Sequence, residues 1–322
     1  MIIRPYHSDD DPALMALERQ SPRGFPKPFI HYRNRFINRA ELYKERLTLV
    51  AEARGQVVGV TSIALKDTFI GGQPVKVGYS FDTRVHPQLR RNGIGHAMVE
   101  EKLRWAREAG AVGAYSLIVS TNQASQGMVA KAGYAKARII LYLEYTPYPM
   151  LEFDVPRPEC LAQPRDHNLI DLTYYQCDLY VPYVAERVQN LEYQRWCLDM
   201  NGQYTGLSVY NQSQVYMQIS ADTPWPTTPT QVERLGRNLQ VFDQVGTQHG
   251  KAFTQLFHWL RDEAVSTNVN KITWLVDRAD PIPAALLQEA AFQKDYWLMF
   301  KSLIPGWQPR WSERIYLDPR DL

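Results

Sequence analysis

Residues Arg90-Arg91-Asn92-Gly93-Ile94-Gly95 put two guanidinium groups beside two glycines. A strand-like run precedes them and a helix-like run follows. The loop would therefore present the free N–H groups of a first helical turn together with the positive end of the helix dipole. Neither glycine carries a Cβ, so ligand oxygens could approach the backbone closely. The chemistry this suits is pyrophosphate binding. Two familiar phosphate loops do not fit. A dinucleotide fingerprint needs a third glycine where Met98 stands and an acidic residue about twenty positions on. A Walker loop needs Gly-Lys-Ser/Thr, which the chain lacks.

Several elements must hold this loop. Ile2–Pro5 reads as a strand, and Asp9-Asp10-Asp11-Pro12 reads as an acidic helix start. The proline-rich segment 21–28 is a loop, and a second helix is expected from about Ile30 to Glu45. Strands are expected at 47–52 and 56–63, joined by a hairpin turn at Arg54-Gly55, and again at 75–85. After the loop, Val99, Leu103 and Ala106 mark a helix that Gly110 ends. Residues 114–119 read as a strand buried on both faces, 123–132 as a short helix and 138–145 as a strand.

The run Val85-His86-Pro87 followed by Arg90 to Gly95 resembles the acyl-CoA loop of the GNAT N-acetyltransferases, Arg/Gln-x-x-Gly-x-Gly/Ala after a strand ending in Val-x-Pro. Asn122, Ser125, Met128, Lys131, Gly133 and Tyr134 resemble that family's second cofactor motif. The resemblance covers roughly residues 1–145. It implies an α/β fold, a mixed central sheet flanked by helices, and acetyl-CoA as co-substrate. It also implies that the Val85 backbone pairs with the pantetheine arm, that Asn122 and Ser125 contact the cofactor near its pantetheine and phosphates, and that Lys131 reaches the 3′-phosphate. The first-to-second-helix loop, Arg23 to Phe29, would line the acceptor pocket. Its aromatics and cations suit a carboxylate or phosphate, although a plain solvated loop reads the same way.

The resemblance breaks at the acid and the base. Val129 stands where many family members have a proton-donating tyrosine, and Tyr79 where some have a basic glutamate. A thiol of ordinary pKa about 8.5 leaves tolerably as thiolate, so the missing acid is the milder defect. Freeing a lysine-like amine at pH 7 costs roughly 4–5 kcal/mol. Asp82, His86 or a relayed water could take that proton, and Tyr115 or Tyr134 could supply one. Asp82 reads equally as a strand-end residue bonded to local backbone, and the tyrosines as packed core.

Prolines at 147, 149, 156 and 158 suggest a boundary near residue 150, giving domains 1–150 and 151–322. Seven of eight tryptophans follow that point, so the second part has its own character. Yet its order repeats: a helical stripe at Phe253–Ala264, a buried strand at 272–276, a short helix at 283–291 and a strand at 297–303. An internal duplication follows, with Gln244 to His249 standing where Arg90 to Gly95 stand. The second copy keeps neither arginine, and is read as a degenerate GNAT-like domain that shapes the acceptor pocket. The expected activity is transfer of an acetyl group from acetyl-CoA to a small-molecule primary amine. The alternatives are a non-catalytic acyl-CoA-binding module and an enzyme acting on a protein amine. A net charge of +2 gives no argument for nucleic acid or a membrane surface. Cys160, Cys177 and Cys197 lack metal-ligand spacing, and no signal-like or membrane-spanning run is present, so a cytoplasmic protein is expected, as a monomeric fused pseudo-dimer or a homodimer.

Overall fold

A hairpin turn at Arg54 and Gly55, both left-handed (φ 53° and 74°), joins strands β3 (Glu45–Ala53) and β4 (Gln56–Ile70) in antiparallel register. A second turn at Gly71-Gly72 returns the chain as β5 (Gln73–Val85). The computed structural model describes residues 1–24, 28–150, 153, 155–161, 166–182 and 191–321. These residues form two compact units, one of 1–139, 215–225 and 296–310, the other of 140–214, 226–295 and 311–322.

In the first unit, β1 (Ile2–Pro5) pairs with β3, and β3 with β4 and β4 with β5. Then β5 runs parallel to β6 (Gly113–Val119), but only from Val77↔Gly113 to Tyr79↔Tyr115. Beyond Tyr79 the pairing of β5 with β6 ends, while β5 continues to Val85. Helix α1 (Asp11–Arg19) buries Leu14, Met15 and Leu17 against Val50 and Val60. Helix α2 (Ile94–Glu108) buries Val99, Leu103 and Ala106 in a cluster that also holds Ile63, Ala114 and Val129. Helix α3 (Gln123–Lys131) follows β6. The far edge of β6 is covered by residues Tyr296–Ser302 of β14 (Phe292–Ser302), strand-paired antiparallel.

The segment expected as a helix from Ile30 to Glu45 is instead β2 (Phe29–Tyr32), which pairs with β11 (Met217–Ser220), followed by a 3₁₀ stretch at Phe36–Leu42. A long-range strand partner and the burial of Arg33 and Arg39 override the local helical spacing.

In the second unit, Ile140–Tyr145 of β7 (Ala135–Tyr145) pairs with β13 (Val269–Asp277). Next come β12 (Arg237–Val245), β10 (Gln203–Asn211), β9 (Tyr193–Met200) and β8 (Glu159–Leu161). The long helix at Gly250–Ser266 buries Phe253, Leu256, Phe257 and Leu260 beside Trp274. A single cut near residue 150 does not describe these units. The last strand of each half completes the other unit's sheet, β14 the first and β7 the second. The proline-rich 147–158 stretch therefore interrupts the second unit rather than preceding it.

The two sheets share a local irregularity. In β4–β5 the register shifts between Val60↔Arg84 and Ser62↔Phe81, and Asp82 sits in the bulge at φ 49°. In β10–β12 it shifts between Gly206↔Val245 and Ser208↔Phe242, with Asp243 at φ 48°. The same residue type in the same strained conformation, followed by helix, strand, short helix and strand, is structural support for the duplication.

A bulge leaves ladder groups without strand partners. On the α2 side, wholly buried Lys102 meets that need: its Nζ donates to Thr61 Oγ1 (2.6 Å), the Ser62 carbonyl (3.3 Å) and Thr83 Oγ1 (3.3 Å). Burial lowers its pKa to about 7, and Asp82 opposes that shift. Between pH 7 and about 10 the unfolded chain therefore binds a proton here that the folded chain does not, and stability rises with pH. That rise should reach about 1.4 kcal/mol per pH unit. Urea unfolding across this range should show the slope, and Lys102→Met should lack it.

Candidate active site

The cofactor-loop residues lie between the unpaired end of β5 and the start of α2. Gly93 caps α2 in the left-handed region (φ 79°), a conformation that disfavours any side chain. The first bond of the helix is donated by the Ala97 N–H to the Gly93 carbonyl (3.0 Å). The N–H groups of Ile94, Gly95 and His96 precede it, at the positive end of the helix dipole. Arg90, Arg91 and Asn92 are exposed around them, with Arg91 also left-handed. The Arg90 Nε donates to the Val85 carbonyl (3.2 Å), tying the loop back to the strand end.

Gly95 has another duty than the one its sequence suggests. A Cβ there would lie 3.0 Å from the Met128 sulfur and 3.5 Å from Val85 Cγ2. Its bareness lets α2 approach α3 and β5, so three cofactor-side elements converge. Asn122 caps α3 by accepting from the Ser125 N–H (3.1 Å), and Lys131 is exposed in the last turn. Val85, the 90–95 loop, Asn122 and Ser125 are thus positioned by adjoining elements, with Lys131 on the outer end of α3.

The residues expected to move protons fare differently. Asp82 is no free base. Its carboxylate accepts from Arg33 (2.8 Å) and Arg23 (3.2 Å), with Arg39 at 3.7 Å. Burial opposes its ionisation, but Arg33, Arg39 and Arg23 outweigh that and hold its pKa well below the carboxylate range. A carboxylate so stabilised is a poor proton acceptor. Tyr134 lies in the apolar cluster with Val129 and Met299, its hydroxyl buried without a hydrogen-bond partner, and burial raises its pKa. The Tyr115 ring is wholly buried beside Tyr79 and under the Lys66 ammonium. Tyr79 accepts a hydrogen bond from Arg39 (2.7 Å). His86 is half-buried, and its Nδ1 has no hydrogen-bond partner.

What the sequence did not reveal is a charged cluster on the α1 side of the bulge. Glu18, wholly buried on α1, accepts from Arg84 Nε (2.8 Å) and Arg33 (3.0 Å). Arg33 bridges Glu18 to Asp82 and stacks over Phe36 (4.1 Å). Burial lowers the Arg84 pKa to about 10, and Arg23 adds to the effect. Beside them His31 is stacked against Tyr216 (4.2 Å) with Nδ1 buried and unpartnered. Burial, then Arg23, Arg33 and Arg84, hold His31 well below its usual pKa, so its ring is neutral. The only local signal was a glutamate inside an apolar helical stripe. In the loop expected to line the acceptor pocket, Phe25 to Lys27 lie outside the described residues.

Residues 12–134 match the acetyltransferase (GNAT) family. This segment is a GNAT acetyltransferase domain. It contains every cofactor-side residue named above, from Val85 and the 90–95 loop to Asn122, Ser125 and Lys131. No curated protein sequence matches the chain significantly. Among solved structures, a tandem GNAT protein from the clavulanic acid biosynthesis pathway is similar at a TM-score of 0.55 and 15% identity, over 95% of this chain and 99% of that one. Saccharomyces cerevisiae N-myristoyltransferase with bound myristoyl-CoA is similar at a TM-score of 0.64 and 10% identity, over 98% and 85%. A putative acetyltransferase from Pyrococcus horikoshii is similar at 0.55 and 13%, over 98% and 92%. These likenesses extend the similarity of fold across both halves of the chain.

The second copy lacks the cradle of the GNAT domain. Four residues, Gly246 to His249, separate its bulged strand from the following helix, where the first copy has eight, His86 to Gly93. A Cβ on Gly246 would meet the Tyr204 carbonyl at 2.3 Å, so the β10 backbone fills the space beside it. Gly246, Gln248 and His249 instead line a cavity of about 380 Å³ with Tyr204 and Arg314.

If Asp82 neutralises buried arginines, Asp82→Asn should destabilise the fold by about 3–5 kcal/mol in urea unfolding, because the shape survives and the charge does not. A stable Asp82→Asn protein that loses only activity would restore its role as a base.

Proposed function

We propose that the chain transfers an acetyl group from acetyl-CoA to a primary amine of a small molecule, by direct attack within a ternary complex. The observation that carries this is the start of α2, with its first-turn N–H groups, exposed Gly93 and two exposed arginines, following the strand end where β5 has left β6. In this reading the 90–95 loop holds the pyrophosphate, Val85 pairs with the pantetheine arm, and Asn122, Ser125 and Lys131 complete the cofactor site. Backbone N–H groups near Val85 polarise the thioester carbonyl. The amine nitrogen bonds to the carbonyl carbon, the carbon–sulfur bond breaks, coenzyme A leaves as thiolate, and the amine sheds one proton. Of the sequence-derived bases we retain His86, which keeps an unpartnered ring nitrogen.

A second reading is favoured by one feature. Val129, Tyr79 and Tyr134 leave no tyrosine or glutamate free where the family's acid and base act, which suits an acyl-CoA-binding module without turnover. Calorimetry separates the cofactor claim from the activity claim. Acetyl-CoA should bind the purified chain, and myristoyl-CoA serves as the long-chain comparison. Gly93→Val should weaken acetyl-CoA at least 100-fold, since a β-branched residue cannot hold the left-handed cap without strain and would crowd the first-turn N–H groups. Unchanged affinity would remove the loop from the site. Thiol release above background with any amine would then select the enzyme over the binding module.

A further inference from the structure

We infer that the acceptor is a primary amine that also carries a carboxylate, and that Arg23 receives that carboxylate. The inference rests on the acetyltransferase reading and names its substrate class.

The cluster at the Asp82 bulge is unbalanced. Among the described residues, Arg23, Arg33 and Arg84 face two carboxylates, Glu18 and Asp82, before Arg39 is counted beside Asp82. The Arg33 and Glu18 side chains are wholly inaccessible, and those of Asp82 and Arg84 nearly so. The sealed members balance, Arg33 and Arg84 against Glu18 and Asp82, so the cation left over is Arg23, which reaches water at the mouth of the cluster. A cation that the sealed network does not need for neutrality is free to serve an anion.

Arg23 is where that anion can enter. Its side chain is about a third exposed (32%), while Arg33 and Arg84 are sealed. Among the described residues one of its five N–H donors reaches a side chain, Asp82 at 3.2 Å, so donors remain for bidentate pairing with a carboxylate. The backbone of Arg23 is pinned by two bonds to Phe29 (2.8 and 2.7 Å), so the guanidinium starts from a fixed base on the β2 edge. Two residues along β2, on the same face, neutral His31 offers a buried Nδ1 with no partner. Asp82 itself lies on β5 between Tyr79, where pairing to β6 stops, and Val85 at the expected pantetheine position. The anion site thus adjoins the part of β5 along which, on the proposed function, the thioester would lie.

This arrangement also bears on the missing base. A bound carboxylate pairs with Arg23, and the guanidinium groups of Arg23, Arg33 and Arg39 around Asp82 disfavour an ammonium nearby. The amine is therefore delivered closer to its neutral, nucleophilic form. Water, or His86 as above, takes the released proton.

The test uses matched acceptors with the full-length chain. Acetyl-CoA-dependent thiol release is measured for a panel of α-amino acids and for their primary amides, which keep the amine and lose the anion. The amine of an amide is the easier one to deprotonate, so a preference for the acid is not explained by amine reactivity. The acid should exceed the amide at least 30-fold in kcat/KM, chiefly through KM, and that ratio should fall at least tenfold in Arg23→Gln. Equal turnover of acid and amide would overturn the inference and leave the acetyltransferase reading standing. A second readout needs no turnover: N-acetylated amino acids at millimolar concentration should raise the melting temperature more than their amides do, and Arg23→Gln should remove the difference. No difference between acid and amide in melting would overturn the inference whatever the activity. Thiol release with no amine, while acetyl-CoA binds, would instead count against the acetyltransferase reading.

Discussion

Asp82 occupies a left-handed backbone conformation inside a strand, a position that costs a non-glycine residue of order 1 kcal/mol, and three arginines gather around its carboxylate. The bulge turns the carboxylate toward α1 and, one residue on, turns Thr83 toward α2 and Lys102. One irregularity therefore recruits a charge network on one side of the sheet and a buried amine on the other. The network links α1, β2, the 3₁₀ stretch and β5 through Glu18, Arg33, Arg39 and Asp82. It ties the acceptor-side elements to the strand that bears the cofactor edge.

The second unit repeats the bulge and solves it differently. Asp243 accepts from the Tyr316 hydroxyl (2.6 Å), and its carbonyl accepts from Arg195, a buried residue of β9 that also pairs with Asp166. A Cβ on Gly206 would fall 2.5 Å from the Arg195 guanidinium, so even the neighbouring strand is cut to fit. Here the loop to the next helix is short. The bulge is the geometry common to the two copies, while the eight-residue cradle belongs to the first copy alone.

What could be read from the sequence was what local physics fixes. The loop at 90–95, the Arg54-Gly55 hairpin and the stripes of α2 and the 250–266 helix depend on spacings of a few residues, and each formed where expected. Non-local features escaped. Glu18 and Arg84 are 66 positions apart and Arg33 and Asp82 are 49 apart, so no window contains their contact. The strand at Phe29–Tyr32 depends on residues 217–220, and the exchange of β7 and β14 between units leaves no trace in a proline count. Asp82 was singled out by position, but its role reversed once its partners were known: a strand-end carboxylate is a candidate base only while no arginine sits on it.

That reversal bears on how a GNAT domain can run without the usual pair of proton-moving side chains. Deprotonating a lysine-like amine at pH 7 costs roughly 4–5 kcal/mol. One uncompensated positive charge about 7 Å away, at an effective dielectric near 20, disfavours the ammonium by about 2.4 kcal/mol, or nearly two pKa units. A free amino acid's own carboxylate holds its ammonium above the α-amine of a peptide, about 8, and pairing that carboxylate with Arg23 removes part of that hold, so the same field brings the amine toward neutrality. A carboxylate-bearing α-amine is then both what Arg23 would bind and what the neighbouring cations would activate. By the same account Asp82 must stay ionised: protonated, it would release Arg33 into the core and trade a modest gain in basicity for the loss of the frame that holds Arg23.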